Sequence, residues 1–525
     1  MPQEPADAGL LAFAAVLAAA SLLGLLAGRF PAARGGEPSS ALERWALGGR
    51  RNGTVATWFL LGGSIFTAYT FVAVPALVFG VGALGFFAVP YTVVVFQLAY
   101  LVLPPLWRAA AAHGWLTPAD AVRDRFGSPA LALAVAVTGV LATMPYVALQ
   151  LLGLGALLTA LGVPDHGLAS DLALTATFAV LALGTYRHGL RTPTVVAVVK
   201  GVGLFAATAL LVGAVLHRFG GAGRVFDEAA LRLGDGSGDR PGAGVLLPDA
   251  LASSYVTLAI GSAAALLLYP HVLLPTFAAR DERVLRRNAV GLLAWSGLLA
   301  VLALCGMAAL AAQVRAPAGN AELAVPALVR ELLPDVPAGL VLGAIGIGAL
   351  VPAAVMSVAV GTTFASNVYL EYVNPRALPD QVQQVARTVS VVVKLGALAF
   401  VLGLRSQDAI LLQLLGGVWI LQTLPAVLLA LVARWPHRYA LMAGLVVGVV
   451  TGTWLIASQG FVAVTVLRVG GVQLGVYAGL VALAANLAVT AVLTPVLDRL
   501  GVGRGTDSTR TGMRGTLRRE WEVPG

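Results

Sequence analysis

Apolar residues in this chain neither alternate nor recur every third or fourth position. They run on for about twenty residues at a time, with polar residues gathered in the gaps. Runs of that length predict helices that cross a bilayer, where no water satisfies loose backbone N–H and C=O groups. Thirteen spans are expected, near 9–28, 56–82, 85–106, 130–162, 171–186, 192–216, 250–275, 291–313, 338–366, 386–404, 409–433, 439–459 and 472–494. The fifth run is short. The fourth is long and carries Met144-Pro145, which predicts a kink or an end outside the membrane. The stretch 217–249, glycine-rich and polar, reads as a flexible connection.

Composition agrees with lipid as the solvent: 58% of the 525 residues are hydrophobic and 11% are charged, against roughly 25% charged in a soluble domain. A net charge of +9 would suggest nucleic acid in a soluble protein, but the basic residues sit between apolar runs rather than in one patch. They read instead as topology signals. One alternate set of connections holds 24 arginines and the other holds eight, and the two remaining basic residues, Lys200 and Lys394, lie inside spans. The basic set belongs in the cytoplasm, so the N-terminus is expected outside and the C-terminus inside. The first run lacks a basic segment ahead of it and is followed by Arg29, which favours an uncleaved helix over a signal peptide. Residues 1–498 are expected to form one transmembrane domain and 499–525 a short basic cytoplasmic tail.

Candidate chemistry is sparse. Every Asp and Glu falls in a connection or at a span edge, and Cys305 is the sole cysteine. A carboxylate proton relay, a disulfide framework and a cysteine metal cluster are thereby disfavoured. With no phosphate-cradling loop either, an enzyme is not expected, and no cofactor beyond a coupling ion. A transporter-like sensor is a rival reading, which the short tail after Asp498 does not favour. The partners expected are a small organic anion and the lipid bilayer, with no nucleic acid; an accessory membrane protein is left open.

With the N-terminus outside, spans 2 and 7 run in opposite directions, as two five-helix units of inverted topology would require. These units cover about 56–216 and 250–433, with one helix before them and two after. Transporters built this way bind substrate and ion where the first helix of each unit is interrupted. Span 2 carries Gly62-Gly63-Ser64 and then Pro75; span 7 carries Gly261-Ser262 and then Pro270-His271. Both are candidate breaks.

The residues reached so far resemble the sodium:solute symporter family. Leu47-Gly48-Gly49-Arg50, Thr117-Pro118-Ala119-Asp120, Arg125-Phe126-Gly127 and the stretch YVALQLLG from Tyr146 carry the likeness. TAYTFVAVPALVFGVG from Thr67, Gly189-Leu190-Arg191, Tyr269-Pro270-His271, VPAAVMS from Val351 and GGVWILQTLPA from Gly416 look most like the bacterial monocarboxylate permease branch. The resemblance implies an all-α LeuT-type core and a symporter in the cell membrane, driven by a sodium gradient. Its solute would be a lactate-, pyruvate- or acetate-like acid, or alanine. It also implies sodium ligands at the carbonyls of Gly63, Phe66 and Ala354 and at the hydroxyl of Ser357. The family's second hydroxyl falls on Val358, which offers no oxygen, although a hard cation wants about five or six.

Lys200, in span 6, opens an alternative, because this helix passes beside the sodium position in LeuT-type folds. An amine there can fill the ion's place and carry a proton instead; equally, it can be a lysine bonded to helix-end carbonyls without a transport role. Lys394 is expected to snorkel. For substrate, helix ends at the breaks offer amides. The side chains expected to complete the cradle are Ser64, Thr67, Tyr69, Thr70, Tyr91, Tyr146, Gln150 and Ser262. Gln413, Trp419 and Gln422 form a further polar and aromatic face, expected to serve packing.

Overall fold

The computed structural model describes residues 7–29, 40–164, 167–234, 243–316, 320–403, 409–429, 431 and 433–509. The first part of the chain forms α1 (Asp7–Leu25), α2 (Ala41–Leu47), α3 (Thr54–Ile65), α4 (Val74–Val81), α5 (Ala88–His113), α6 (Pro118–Phe126), α7 (Pro129–Ala160), α8 (Leu168–His188), α9 (Arg191–Phe219) and α10 (Ala222–Leu233). Next come α11 (Ala252–Leu266), α12 (Pro270–Phe277), α13 (Glu282–Gly291), α14 (Leu293–Ala311), α15 (Ala324–Leu332), α16 (Asp335–Phe364), α17 (Pro379–Gly403) and α18 (Ala409–Leu421). The chain closes with α19 (Arg438–Ser458), the hairpin β1 (Val464–Val469) and β2 (Val472–Tyr477), and α20 (Ala478–Arg499). Ten helices are long and apolar enough to cross a membrane, and the bent pair α3 and α4 makes eleven. The other two expected spans, 171–186 and 409–433, coincide with α8 and with α18, whose apolar part is only Leu411–Leu421. The count of thirteen is therefore not reached by length and hydropathy among the described residues.

Three local expectations are corrected. The expected span 472–494 begins six residues late, because Val472–Tyr477 pairs as a strand with Val464–Val469. Gly470 and Gly471 occupy the two-residue turn with φ of 57° and 84°, as a tight hairpin requires, and Val469 and Val472 pair directly across it. The supposed flexible connection 217–249 contains α10, whose Val225, Ala229 and Leu233 recur every four residues and are buried on one face. Third, of the two markers expected at the second break, Gly261-Ser262 does not interrupt its helix, since α11 continues to Leu266, whereas the break at Leu267–Tyr269 immediately precedes Pro270, which opens α12. Proline, which has no N–H to give the preceding turn, governs that interruption. Pro145, by contrast, lies inside an uninterrupted α7.

Helix α16 is the centre of the molecule. In its most apolar window 94% of residues are buried, against 28% for α1 and for α20 at the periphery. Gly343 allows the backbone of α1 close to α16, since a Cβ there would stand 2.8 Å from Val16 Cβ. At one end of the bundle Arg50 ties several elements together. Its Nε donates to Glu43 Oε1 (2.9 Å), Nη1 to Phe277 O (3.1 Å) and Nη2 to Trp115 O (2.6 Å). Burial acts most strongly on this guanidinium and lowers its pKa, while Glu43 works in the opposite sense. Beside it, Asn52 N–H donates to Ala278 O and Arg280 N–H to Asn52 O, joining the approach to α3 to the exit of α12. The motif at Thr117 is a capping box: Thr117 Oγ1 accepts from Asp120 N–H, and Asp120 accepts from Thr117 N–H. Asp120 also accepts from Asn367 Nδ2 at 2.7 Å, which fixes α6 to the end of α16.

Candidate functional site

Between α3 and α4 the chain bends by 56°. Phe66 is extended (φ −88°, ψ 98°), and the helical ladder resumes through a π-turn at Tyr69–Ala73. The bend withdraws acceptors from the ladder. Thr70 N–H, which would reach Phe66 O in a continuous helix, donates to Thr67 O instead. In α16 the same result comes from Pro352, which stands four residues after Gly348 and has no N–H to offer its carbonyl.

The freed carbonyls converge on one side chain. Lys200 of α9 is completely buried, and its Nζ donates to Gly63 O at 2.6 Å, Phe66 O at 2.6 Å and Gly348 O at 2.8 Å. Nζ also lies 5.7 Å from the centre of the Phe71 ring. An ammonium has three donors and no acceptor, so three carbonyls match it completely; a neutral amine would turn a lone pair toward one of them. Of the four expected sodium ligands, Gly63 and Phe66 hold the ammonium. Ser357 Oγ donates to Ala354 O at 2.8 Å, a bond inside α16. Gly348, which was not foreseen, supplies the third carbonyl, and its signal was Pro352 within VPAAVMS. Val358 is fully buried.

Gln150 and Thr67 shape the break itself. Gln150 Oε1 accepts from Ala68 N–H (3.0 Å) and Nε2 donates to Tyr146 O (3.0 Å), while Thr67 Oγ1 accepts from Tyr69 N–H (3.1 Å). Ser64 Oγ donates to Leu61 O within its own helix. Thr70 is buried in the π-turn.

Tyr69, Tyr91 and Tyr146 meet where the two breaks face each other. Tyr146 has its hydroxyl beside Thr67 and its ring against Tyr269 (5.4 Å) and His271 (5.1 Å) at the start of α12. Tyr69 lies edge-on to Tyr91 at 6.2 Å. Within this buried group the hydroxyls of Tyr69 and Tyr269 and both ring nitrogens of His271 have no hydrogen-bond partner, and on α11 the buried Ser262 hydroxyl has none either. Each such group costs about 1–3 kcal/mol when left unsatisfied, so a cluster of them marks a place for polar ligand or water. Tyr269 and His271 had no substrate role in the sequence reading, although their sequence position after a glycine-bearing span and beside Pro270 pointed to them. Gln413, expected to serve packing, also has an unpartnered Oε1. Gln422 does serve packing: Nε2 donates to Val418 O and Gly479 O, and its carbonyl accepts from Asn486. Lys394 does not snorkel; it is buried and donates to Thr185 Oγ1 (2.9 Å) and Ser390 O (3.2 Å).

Known proteins resemble this chain along nearly its whole length. The family model of the sodium:solute symporter family matches residues 45–448. A monocarboxylate transport permease protein of Rhizobium johnstonii is 43% identical over 478 residues, covering 91% of this chain and 94% of that protein. The uncharacterized symporter YodF of Bacillus subtilis is 30% identical, covering 93% of each. Among solved structures, a Na+-coupled sialic acid symporter in a substrate-bound outward-open state has a TM-score of 0.74 at 15% identity, covering 93% of this chain and 98% of that one. Mhp1, a nucleobase-cation-symport-1 family transporter in a closed conformation, has a TM-score of 0.53 at 15% identity, covering 91% and 98%. The fold is that of the LeuT-type transporters, and the protein is a multi-pass membrane transporter rather than an enzyme. Sodium is the coupling ion that such membership implies, and the chain belongs to the sodium:solute symporter family.

Proposed function

We propose that this protein is a symporter for a small monocarboxylate, in which the Lys200 ammonium stands at the cation position and coupling runs through its proton. The observation that carries the coupling is the three-carbonyl seat of Nζ, formed by Gly63, Phe66 and Gly348. Sodium and the ammonium cannot share it. A sodium ion needs the same carbonyl lone pairs, and two like charges in a dry seat repel strongly. Proton loss leaves two donors against three acceptors, which loosens the link between the α3–α4 break and α16. Protonation restores that link, and the equilibrium between alternate arrangements follows the proton.

The substrate class is supported by the name of the Rhizobium relative and by the polar group between the breaks. Tyr69, Tyr269, Ser262 and His271 can all donate to a carboxylate, and Thr67, Tyr91 and Tyr146 line the same region. These donors are neutral. A monocarboxylate entering with one proton adds no net charge to a dry site, whereas the anion alone would. The acid is of the lactate, pyruvate or acetate class, or alanine.

The test is Lys200→Ala, reconstituted in liposomes and assayed with radiolabelled lactate. Accumulation driven by a proton gradient should be lost, while exchange of lactate across the membrane at equal pH persists, which a merely structural lysine would not allow. Proton-driven accumulation retained in this variant would remove the lysine from the coupling step.

A further inference from the structure

Away from the breaks, α2, the start of α3, the end of α8, the start of α9 and α17 enclose a cavity of about 500 Å³. Five arginines line it: Arg44, Arg51, Arg187, Arg191 and Arg387. Among the described residues no Asp or Glu lines it. Excess arginine on one membrane face is ordinary, and Arg51 and Arg191 have interactions of their own. Arg44, Arg187 and Arg387, from three different helices, still bring like charges to one hollow, which an anion would offset. Arg387 Nε is buried with no hydrogen-bond partner, although its guanidinium lies 5.9 Å from the Tyr186 ring centre. The N-terminus of α3 opens here too. Gly53 caps it without a side chain and lines the cavity together with Ala56, so first-turn N–H groups face the hollow.

The rest of the lining is apolar, with Leu47, Leu190 and Val195 beside the arginines. The same helices continue outward into exposed apolar surface: Val55 is 67% exposed on α3 and Val202 60% exposed on α9. A basic hollow whose rim continues into lipid-facing valines suits a molecule with an anionic head and apolar tails. We propose that this cavity binds the phosphate headgroup of an anionic phospholipid, such as phosphatidylglycerol, with its acyl chains along α3 and α9. A basic pocket between spans at headgroup depth has the physical requirements for this. Since α3 leads directly to the seat of Lys200, an occupied site would bear on the approach to the first break.

Native mass spectrometry of the intact protein in detergent, titrated with dioctanoyl-phosphatidylglycerol, tests the proposal. One saturable site should appear, and dioctanoyl-phosphatidylcholine should not fill it. The double variant Arg187→Gln/Arg387→Gln should bind about thirty-fold more weakly, and Arg187→Lys/Arg387→Lys should recover most of the loss. If the glutamine pair does not fold, Arg44→Gln alone, at an exposed position, should weaken binding about five-fold. Equal binding of the zwitterionic lipid, or unchanged affinity in the glutamine variants, would overturn the proposal. Glycerol 3-phosphate binding as tightly as the lipid would reassign the cavity to a free phosphate anion. Displacement by lactate would reassign it to the transport path.

Discussion

Valine at position 63 should stop transport without unfolding the protein. A Cβ on Gly63 would stand 3.2 Å from Ala197 Cβ, 3.3 Å from Val351 Cγ1 and 3.8 Å from Lys200 Cδ. Alanine therefore requires its neighbours to give by a few tenths of an ångström, and Gly63→Ala should keep measurable uptake. Valine adds two methyl groups in a seam where α3, α9 and α16 meet, and at least one must press on the lysine stem or on Val351. Overpacking of this kind costs about 1–3 kcal/mol. Placed on the arrangement that seats Lys200, such a cost depopulates it roughly five- to 150-fold. Radiolabelled lactate uptake into proteoliposomes, scored beside size-exclusion profile and melting temperature, measures both halves of the claim. Normal uptake by Gly63→Val would remove the close approach at the break from the mechanism. Loss of the folded peak would show that the cost falls on the whole fold instead.

His271→Phe keeps the aromatic volume while removing two unpartnered nitrogens, so it should raise KM for lactate at least about tenfold and leave melting unchanged or higher; an unchanged KM would take His271 out of the substrate site. Gln150→Leu strips the acceptor from Ala68 N–H and should lower stability by about 1–3 kcal/mol as well as uptake, measured by denaturant titration and flux, and a fully stable variant would contradict the capping role. Ser357→Ala removes only a bond internal to α16, so it should change uptake by less than about threefold and impose no sodium requirement; a sodium-dependent defect would speak for a metal ligand. Single cysteines at Ala6 and Ser508, in a Cys305→Ala background, should react with an impermeant reagent from opposite faces of the membrane, and labelling of both from one face would refute the arginine-based orientation.

The sequence made the membrane class and the first break legible because both are written in local chemistry. Long apolar runs have no stable alternative to spanning helices, and Gly62-Gly63-Ser64 with Pro75 lies around the bend. The second break is expected at Gly261-Ser262 and Pro270-His271 and falls just before Pro270; Gly261 instead serves close contact inside a packed helix, where a Cβ would collide with Tyr477. The hairpin at 464–477 is hidden because a short valine-rich apolar stretch reads equally as a strand or as a helix end. Lys200 was conspicuous as a lone charge in a span, and two of its carbonyl partners lay in the expected cation set. Gly348 was not visible, since recognising it requires knowing that Pro352 frees a carbonyl facing α9 rather than lipid. Tyr269 and His271 are hidden in the sequence for a related reason: their polar atoms become informative only once folding shows them buried with no protein partner.

The central claim is that the ammonium of Lys200 does the work of the cation. The most direct test is uptake of radiolabelled lactate into proteoliposomes of the wild-type protein, with proton and sodium gradients imposed one at a time under a clamped membrane potential. Lactate should accumulate under an inward proton gradient with no sodium present, and a sodium gradient at equal pH should drive none. Accumulation under sodium alone, with no response to the proton gradient, would contradict the account and place a metal ion where Lys200 stands.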